Sequence, residues 1–155
     1  QRAARRCNWQ RRCLVLSKPR FRPAKSTQAI DGFYVTIPLQ NGYRLRTDVE
    51  LWEPGDTYRH DVDVSIMAYK GRYSLSRALE KEGTPTGPGG LGVVYPALSI
   101  LDAAEIEARR RWPDIPLRMR LDAANETLYR VYRRFLAPRG YRATEWELEL
   151  VKELD

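Results

Sequence analysis

This sequence is poor in the side chains that most often carry metal or nucleophilic chemistry. It contains two cysteines, Cys7 and Cys13, and a single histidine, His60. These three residues cannot by themselves supply the four ligands of a zinc site, and they provide no Ser-His-Asp or Cys-His set. We therefore expect no metal site. We interpret the cysteines as free thiols in a reducing compartment, with a disulfide as the alternative.

Long apolar runs are also missing. No stretch approaches the roughly 20 residues that a membrane-spanning helix needs, so we expect a soluble, intracellular protein without membrane contact. At 155 residues and 43% hydrophobic content, the chain suits one domain with a single core. The sequence does not indicate an oligomeric state.

Acidic residues are absent before Asp31, although the chain carries a net charge of +7. We interpret residues 1–30 as an extended basic arm, followed by a single α/β domain over residues 31–155. The arm is typical of a solvated tail, of an organelle-targeting remnant, or of a segment that binds nucleic acid, and a phage or virion origin stays open. The arginines that would contact nucleic acid are Arg2, Arg5, Arg6, Arg11, Arg12, Arg20 and Arg22.

The first part of the domain alternates apolar and polar residues with a period of two. Strands are predicted over residues 33–39, 43–52 and 61–68, with Asn41-Gly42 forming the first turn because both residues tolerate positive φ. Short turns between sequential strands are typical of an antiparallel meander. His60 and Asp61 fall on opposite faces of the third strand, which argues against a metal site there.

The second part alternates strands with helices. We predict a short helix over Ser74–Glu82, a glycine-rich loop, a short strand over Leu91–Tyr95, and a helix over Ala97–Trp112 with Pro96 at its first position. A strand over Leu117–Ala123, a helix capped by Asn125, and a strand over Tyr141–Val151 follow. The fold class is therefore α/β (a mixed α+β sheet), with an antiparallel meander followed by β-α-β-α-β. The strand pair that flanks the second helix should be parallel.

Asn125 is followed seven residues later by Tyr132, and Gly140-Tyr141 closes the segment. This pattern resembles N-x-x-A-x-x-L-Y followed by Gly-Phe in the GNAT superfamily of N-acetyltransferases, over residues 91–151. Leu128 stands where the family has Ala, and the segment between the tyrosine and the glycine is longer. The family's Arg/Gln-x-x-Gly-x-Gly/Ala phosphate loop has no direct counterpart at Tyr95, because the nearest glycines precede it.

The resemblance implies that acetyl-coenzyme A is the cofactor and that Tyr132 donates a proton to its departing thiolate. It also implies that Asn125 lies near the cofactor, with Tyr129 as a second candidate and Gly90, Gly92 and Tyr95 near the phosphates. The base that deprotonates the amine would be Glu50 or Asp63. All of these tyrosines have an alternative interpretation as ordinary core or boundary residues.

Two hypotheses follow. The leading one is an acyl-coenzyme A-dependent N-acetyltransferase-like domain with an unknown amine acceptor. The alternative is a non-enzymatic basic protein of a larger nucleoprotein assembly, ribosome-like or virion-like, anchored by its arginine-rich arm. A fold that persists as an inactive scaffold would combine the two.

Overall fold

The computed structural model describes residues 19–39, 42–71, 73–74, 91–123 and 125–155. These residues form eight strands, two α-helices and one turn of 3₁₀ helix. The strands are β1 Arg22–Pro23, β2 Asp31–Pro38, β3 Tyr43–Leu51, β4 His60–Lys70, β5 Tyr73–Ser74, β6 Leu117–Asp122, β7 Arg142–Ala143 and β8 Glu149–Leu154. The helices are α1 Leu91–Arg111 and α2 Glu126–Leu136, with the 3₁₀ turn over Ala137–Arg139.

Among the described residues the strands form one mixed sheet in the order β1-β2-β3-β4-β6-β8-β7, and β5 pairs with β4. β4 and β6 are parallel, with His60–Val64 aligned to Leu117–Leu121, whereas β6 and β8 are antiparallel. The predicted mixed α/β class is therefore confirmed. The predicted parallel pairing of a strand over Leu91–Tyr95 with the strand at Leu117 is wrong, because residues 91–95 are helical and the parallel neighbour of β6 is β4.

The period-two pattern produces the burial that it predicts. In β3 every second residue is buried, from Tyr43 to Leu51. Val62 and Val64 of β4 are buried in the same way, as are the alternate residues of β6. The polar residues between them lie on the opposite face of the sheet, which needs no apolar cover.

Helix α1 begins six residues before the predicted start. The predicted strand over Leu91–Tyr95 is wrong, because these residues form the first turns of α1, and Pro96 lies inside the helix rather than at its first position. Proline lacks an N–H and cannot donate to the carbonyl of Gly92, four residues earlier. The apolar run before Pro96 nevertheless continues the helix. The predicted helix over Ser74–Glu82 lies almost wholly outside the described residues, and Ser74 itself ends β5.

The C-terminal part differs from the prediction in one element. Asn125 caps α2 as predicted, and the helix ends near the expected Leu136. The predicted strand over Tyr141–Val151 is instead split into β7 and β8. Leu148, with φ of 60°, lies between them in the left-handed region, which interrupts the extended backbone.

The chain divides into two compact units, each of which takes part of β2, β3, β4 and α1. The first unit comprises residues 1–22, 34–47 and 66–104, and the second comprises residues 23–33, 48–65 and 105–155. In the second unit, the C-terminal part of α1 packs on the apolar sheet face. Glu105 accepts hydrogen bonds there from the Tyr141 hydroxyl (2.8 Å) and the Lys152 ammonium (2.9 Å).

Candidate active site

The side chain of Asn125 holds the start of α2. Its backbone is extended (φ −158°, ψ 172°), and its Oδ1 accepts a hydrogen bond from the Leu128 N–H at 2.9 Å. This satisfies one of the N–H groups that the first turn of a helix leaves without a partner. The cap occupies the carboxamide oxygen, so the exposed carboxamide NH₂ is the part of Asn125 that can donate to a ligand.

Tyr132 lies seven residues after Asn125, close to two helical turns, and therefore on the same side of α2. Its ring is half-buried, and burial raises the pKa of its hydroxyl above the ordinary value of 10.0. The phenol is therefore protonated at neutral pH and can act as a hydrogen-bond donor or a general acid. Tyr129 is also half-buried, but its ring faces the guanidinium of Arg133 at 5.7 Å.

The two candidate bases, Glu50 and Asp63, lie on neighbouring strands of the second unit. The Trp52 N–H donates to the Asp61 carbonyl at 2.8 Å, which sets the antiparallel alignment of β3 and β4. Continuing this alignment by two residues puts Glu50 opposite Asp63. Both carboxylates therefore belong to the polar face of the sheet.

Both carboxylates already have protein partners. Glu50 accepts from the backbone N–H of Ser26. Asp63 contacts the guanidinium of Arg120, with Oδ1 3.0 Å from Nε and Oδ2 3.2 Å from an Nη atom. Burial raises the pKa of Asp63, while the attraction of Arg120 opposes the rise. A raised pKa makes Asp63 a stronger base than an ordinary aspartate.

Two arginines of β6 turn this polar face into a network of ion pairs. Arg118 binds Asp61 at 2.8 Å, and Arg120 reaches Glu149 of β8 at 3.8 Å in addition to Asp63. The sequence alone did not predict that Arg118 and Arg120 form ion pairs with Asp61 and Asp63. Arg-Met-Arg in β6 alternates in the same way as Asp-Val-Asp in β4. This match predicts the ion pairs only when the parallel register of the two strands is known.

The predicted phosphate-binding residues lie at or before the start of α1. Gly92 is in its first turn and Tyr95 in its second, both in the first unit, whereas Gly90 lies outside the described residues. α1 starts at Leu91, so the glycines at positions 87, 89 and 90 directly precede it in the sequence.

Little of the basic arm is described. Arg2, Arg5, Arg6, Arg11 and Arg12 lie outside the described residues, as do Cys7 and Cys13. Arg20 and Arg22 are described, and both are exposed.

Comparison with protein-family models, with curated proteins and with solved structures gives no match to this chain. Within the described ranges, no group of three or more His, Cys, Asp or Glu side chains is arranged to hold a metal ion. In the same part of the chain, none of the helices combines the length and apolar character needed to cross a membrane.

Proposed function

We propose that this chain is a GNAT-like N-acetyltransferase that transfers an acetyl group from acetyl-coenzyme A to an amine. One observation supports this most: a parallel strand pair, β4 and β6, is connected through α1, and β4 continues beyond their ladder. The ladder ends at Val64 and Leu121, while β4 runs on to Lys70. Because β5 pairs with β4 at Tyr69 and Lys70, residues 65–68 are the part of β4 beyond the ladder that would pair with an extended ligand.

The start of α1 supports the same proposal. The N–H groups of a first helical turn have no partner within the helix and bind phosphates well, particularly behind glycines that let the ligand approach. Gly92 and the glycines that precede Leu91 would hold the diphosphate of the cofactor. Bound acetyl-coenzyme A would supply the acetyl thioester as the acyl donor.

Asp63 or Glu50 and the Tyr132 hydroxyl would transfer the protons. Asp63 or Glu50 would accept a proton from the acceptor ammonium, which makes the nitrogen nucleophilic. As the C–N bond forms and the C–S bond breaks, the Tyr132 hydroxyl would donate its proton to the departing sulfur. The hydroxyl is protonated at neutral pH and therefore carries the proton that it would donate.

The matched pair of variants Tyr132→Phe and Tyr129→Phe tests the proposal. Each removes one hydroxyl from α2 and keeps the ring. With radiolabelled acetyl-coenzyme A and a panel of polyamines, lysine peptides and aminoglycosides, we expect Tyr132→Phe to lower the rate by about 10²- to 10⁴-fold. Tyr129→Phe, which removes the second candidate hydroxyl, should lower the rate much less. Equal rates in the two variants would contradict the proposed role of Tyr132.

The sequence supports a second candidate, a basic component of a nucleoprotein assembly. Its evidence is the acid-free segment before Asp31, which carries nine of the 27 lysines and arginines. This candidate predicts retention on RNA or DNA that falls steeply with salt and is lost when residues 1–18 are removed. Retention that survives the deletion would contradict anchoring by the arm.

A further inference from the structure

The polar sheet face of the first unit carries stacked pairs of arginine and tyrosine. The guanidinium carbon of Arg46 lies 4.1 Å from the centre of the Tyr34 ring, and that of Arg44 lies 5.1 Å from the centre of the Tyr69 ring. The four residues lie on three neighbouring strands, β2, β3 and β4. We call Tyr34, Arg44, Arg46 and Tyr69 the stacking face.

The stacking face is accessible and fixed in place. All four side chains are only half-buried. Arg44 also donates to the backbone carbonyl of Gly71, and the Tyr69 hydroxyl lies 3.5 Å from the sulfur of Met67, which is 41% exposed. Aromatic and guanidinium planes that are held before binding lose little conformational entropy when a ligand stacks on them.

Most of the charge around the stacking face is positive, although Asp48 follows two residues after Arg46 on the same face of β3. Among the described residues of the first unit, Asp102 on α1 is the single acidic residue. The strands of this unit contribute none, and the basic residues are Arg20, Arg22, Arg44, Arg46 and Lys70.

We propose that the stacking face binds single-stranded nucleic acid. Bases can stack on tyrosine rings and on guanidinium planes, while the surrounding positive charge attracts the phosphate backbone. Tyr34 on β2 and Tyr69 on β4 lie on either side of β3, which carries the two arginines, so the face offers more than one stacking position. This site is separate from the arm that the sequence suggested, and it does not depend on the proposed acetyl transfer.

Fluorescence anisotropy with a labelled 20-nucleotide oligo(U) or oligo(dT) tests this proposal on the full chain. The double variant Arg44→Gln/Arg46→Gln is compared with Arg130→Gln/Arg134→Gln, which removes the same charge from exposed arginines of α2. Loss of two phosphate contacts should reduce the slope of log affinity against log salt by about 1.4. The α2 control should keep nearly the wild-type slope.

The tyrosines provide a second, charge-neutral test. Tyr34→Leu and Tyr69→Leu should each weaken binding by roughly 5- to 150-fold at unchanged salt slope, because they remove stacking rather than charge. Tyr69→Phe, which keeps the ring, should bind like wild type. Circular dichroism melting of every variant shows whether the fold is retained.

Several results would overturn the proposal. One is equal affinity in the β3 and α2 double variants, and another is loss of binding only when residues 1–18 are deleted. Displacement of the oligonucleotide by acetyl-coenzyme A would assign the stacking face to the cofactor. Binding to vesicles with anionic lipids, without binding to the oligonucleotide, would assign it to a membrane surface.

Discussion

Replacing Glu105 should destabilise the second unit more than replacing any exposed carboxylate. Its side chain is 12% exposed and accepts from the Tyr141 hydroxyl and the Lys152 ammonium, whose side chain is 23% exposed. These bonds connect α1 to β8 and to the segment that follows α2. Removing the carboxylate leaves a buried hydroxyl and a mostly buried cation without their acceptor.

The expected cost lies between two limits. Breaking a fully buried ion pair costs about 3–5 kcal/mol, and removing an exposed one costs about 0–1 kcal/mol. Lys152 retains some access to water, so we expect Glu105→Ala to cost about 2–4 kcal/mol. Glu105→Gln keeps an acceptor for Tyr141 but loses the charge opposite Lys152, and should cost about 1–2 kcal/mol.

Urea denaturation followed by circular dichroism measures both variants. Glu153→Gln is the matched control, because Glu153 pairs with Arg142 on the surface, with side chains that are 35% and 59% exposed. The control should change the free energy of unfolding by less than about 1 kcal/mol. The reasoning is refuted if Glu105→Ala costs no more than Glu153→Gln at an unchanged denaturant slope.

Three further predictions concern backbone packing and pH. Gly32→Ala should cost about 2–4 kcal/mol in urea denaturation, since its Cβ would lie 2.4 Å from the Ala24 carbonyl oxygen, whereas the open Gly55→Ala should be tolerated. Burial raises the pKa of Asp63, so wild type should lose stability as pH rises above 3.8 and Asp63→Asn should lose less. A hydrogen bond from Arg110 lowers the pKa of Glu107, so Glu107→Gln should cost stability at neutral pH and progressively less on acidification. Parallel pH profiles for the two variants would contradict these assignments.

Much of the architecture follows from local patterns in the sequence. Alternation gave the three meander strands, and Asn125 gave the start of α2 with its side-chain cap. These features depend on only a few neighbouring residues. A strand depends on which of its faces is apolar, and a helix start depends on a side chain that can accept a hydrogen bond from a first-turn N–H.

The errors arose where neighbouring signals conflicted. Pro96 suits the first position of a helix, which predicts a strand for the apolar run before it. In the structure that run is already helical, and Pro96 lies inside the helix. A positive φ is usually predicted from glycine, but here the residue in the left-handed region is Leu148. The sequence therefore does not indicate the interruption between β7 and β8.

The members of the candidate site, Glu50 or Asp63 as base and Tyr132 as acid, come from the resemblance to GNAT proteins. The sequence alone did not indicate which side chains pair with them. The ion pairs of Arg118 and Arg120 depend on which strand lies beside β4, and that is decided by tertiary pairing between segments more than 50 residues apart. The stacking face likewise depends on the alignment of three strands.

Thermal unfolding with and without acetyl-coenzyme A addresses the proposed transferase most directly. A ligand present at about a hundred times its dissociation constant should stabilise the folded chain by ~2.7 kcal/mol, which appears as a higher melting temperature. We expect this rise with acetyl-coenzyme A and a smaller one with adenosine diphosphate at the same concentration. An unchanged melting temperature at millimolar acetyl-coenzyme A would contradict the transferase proposal.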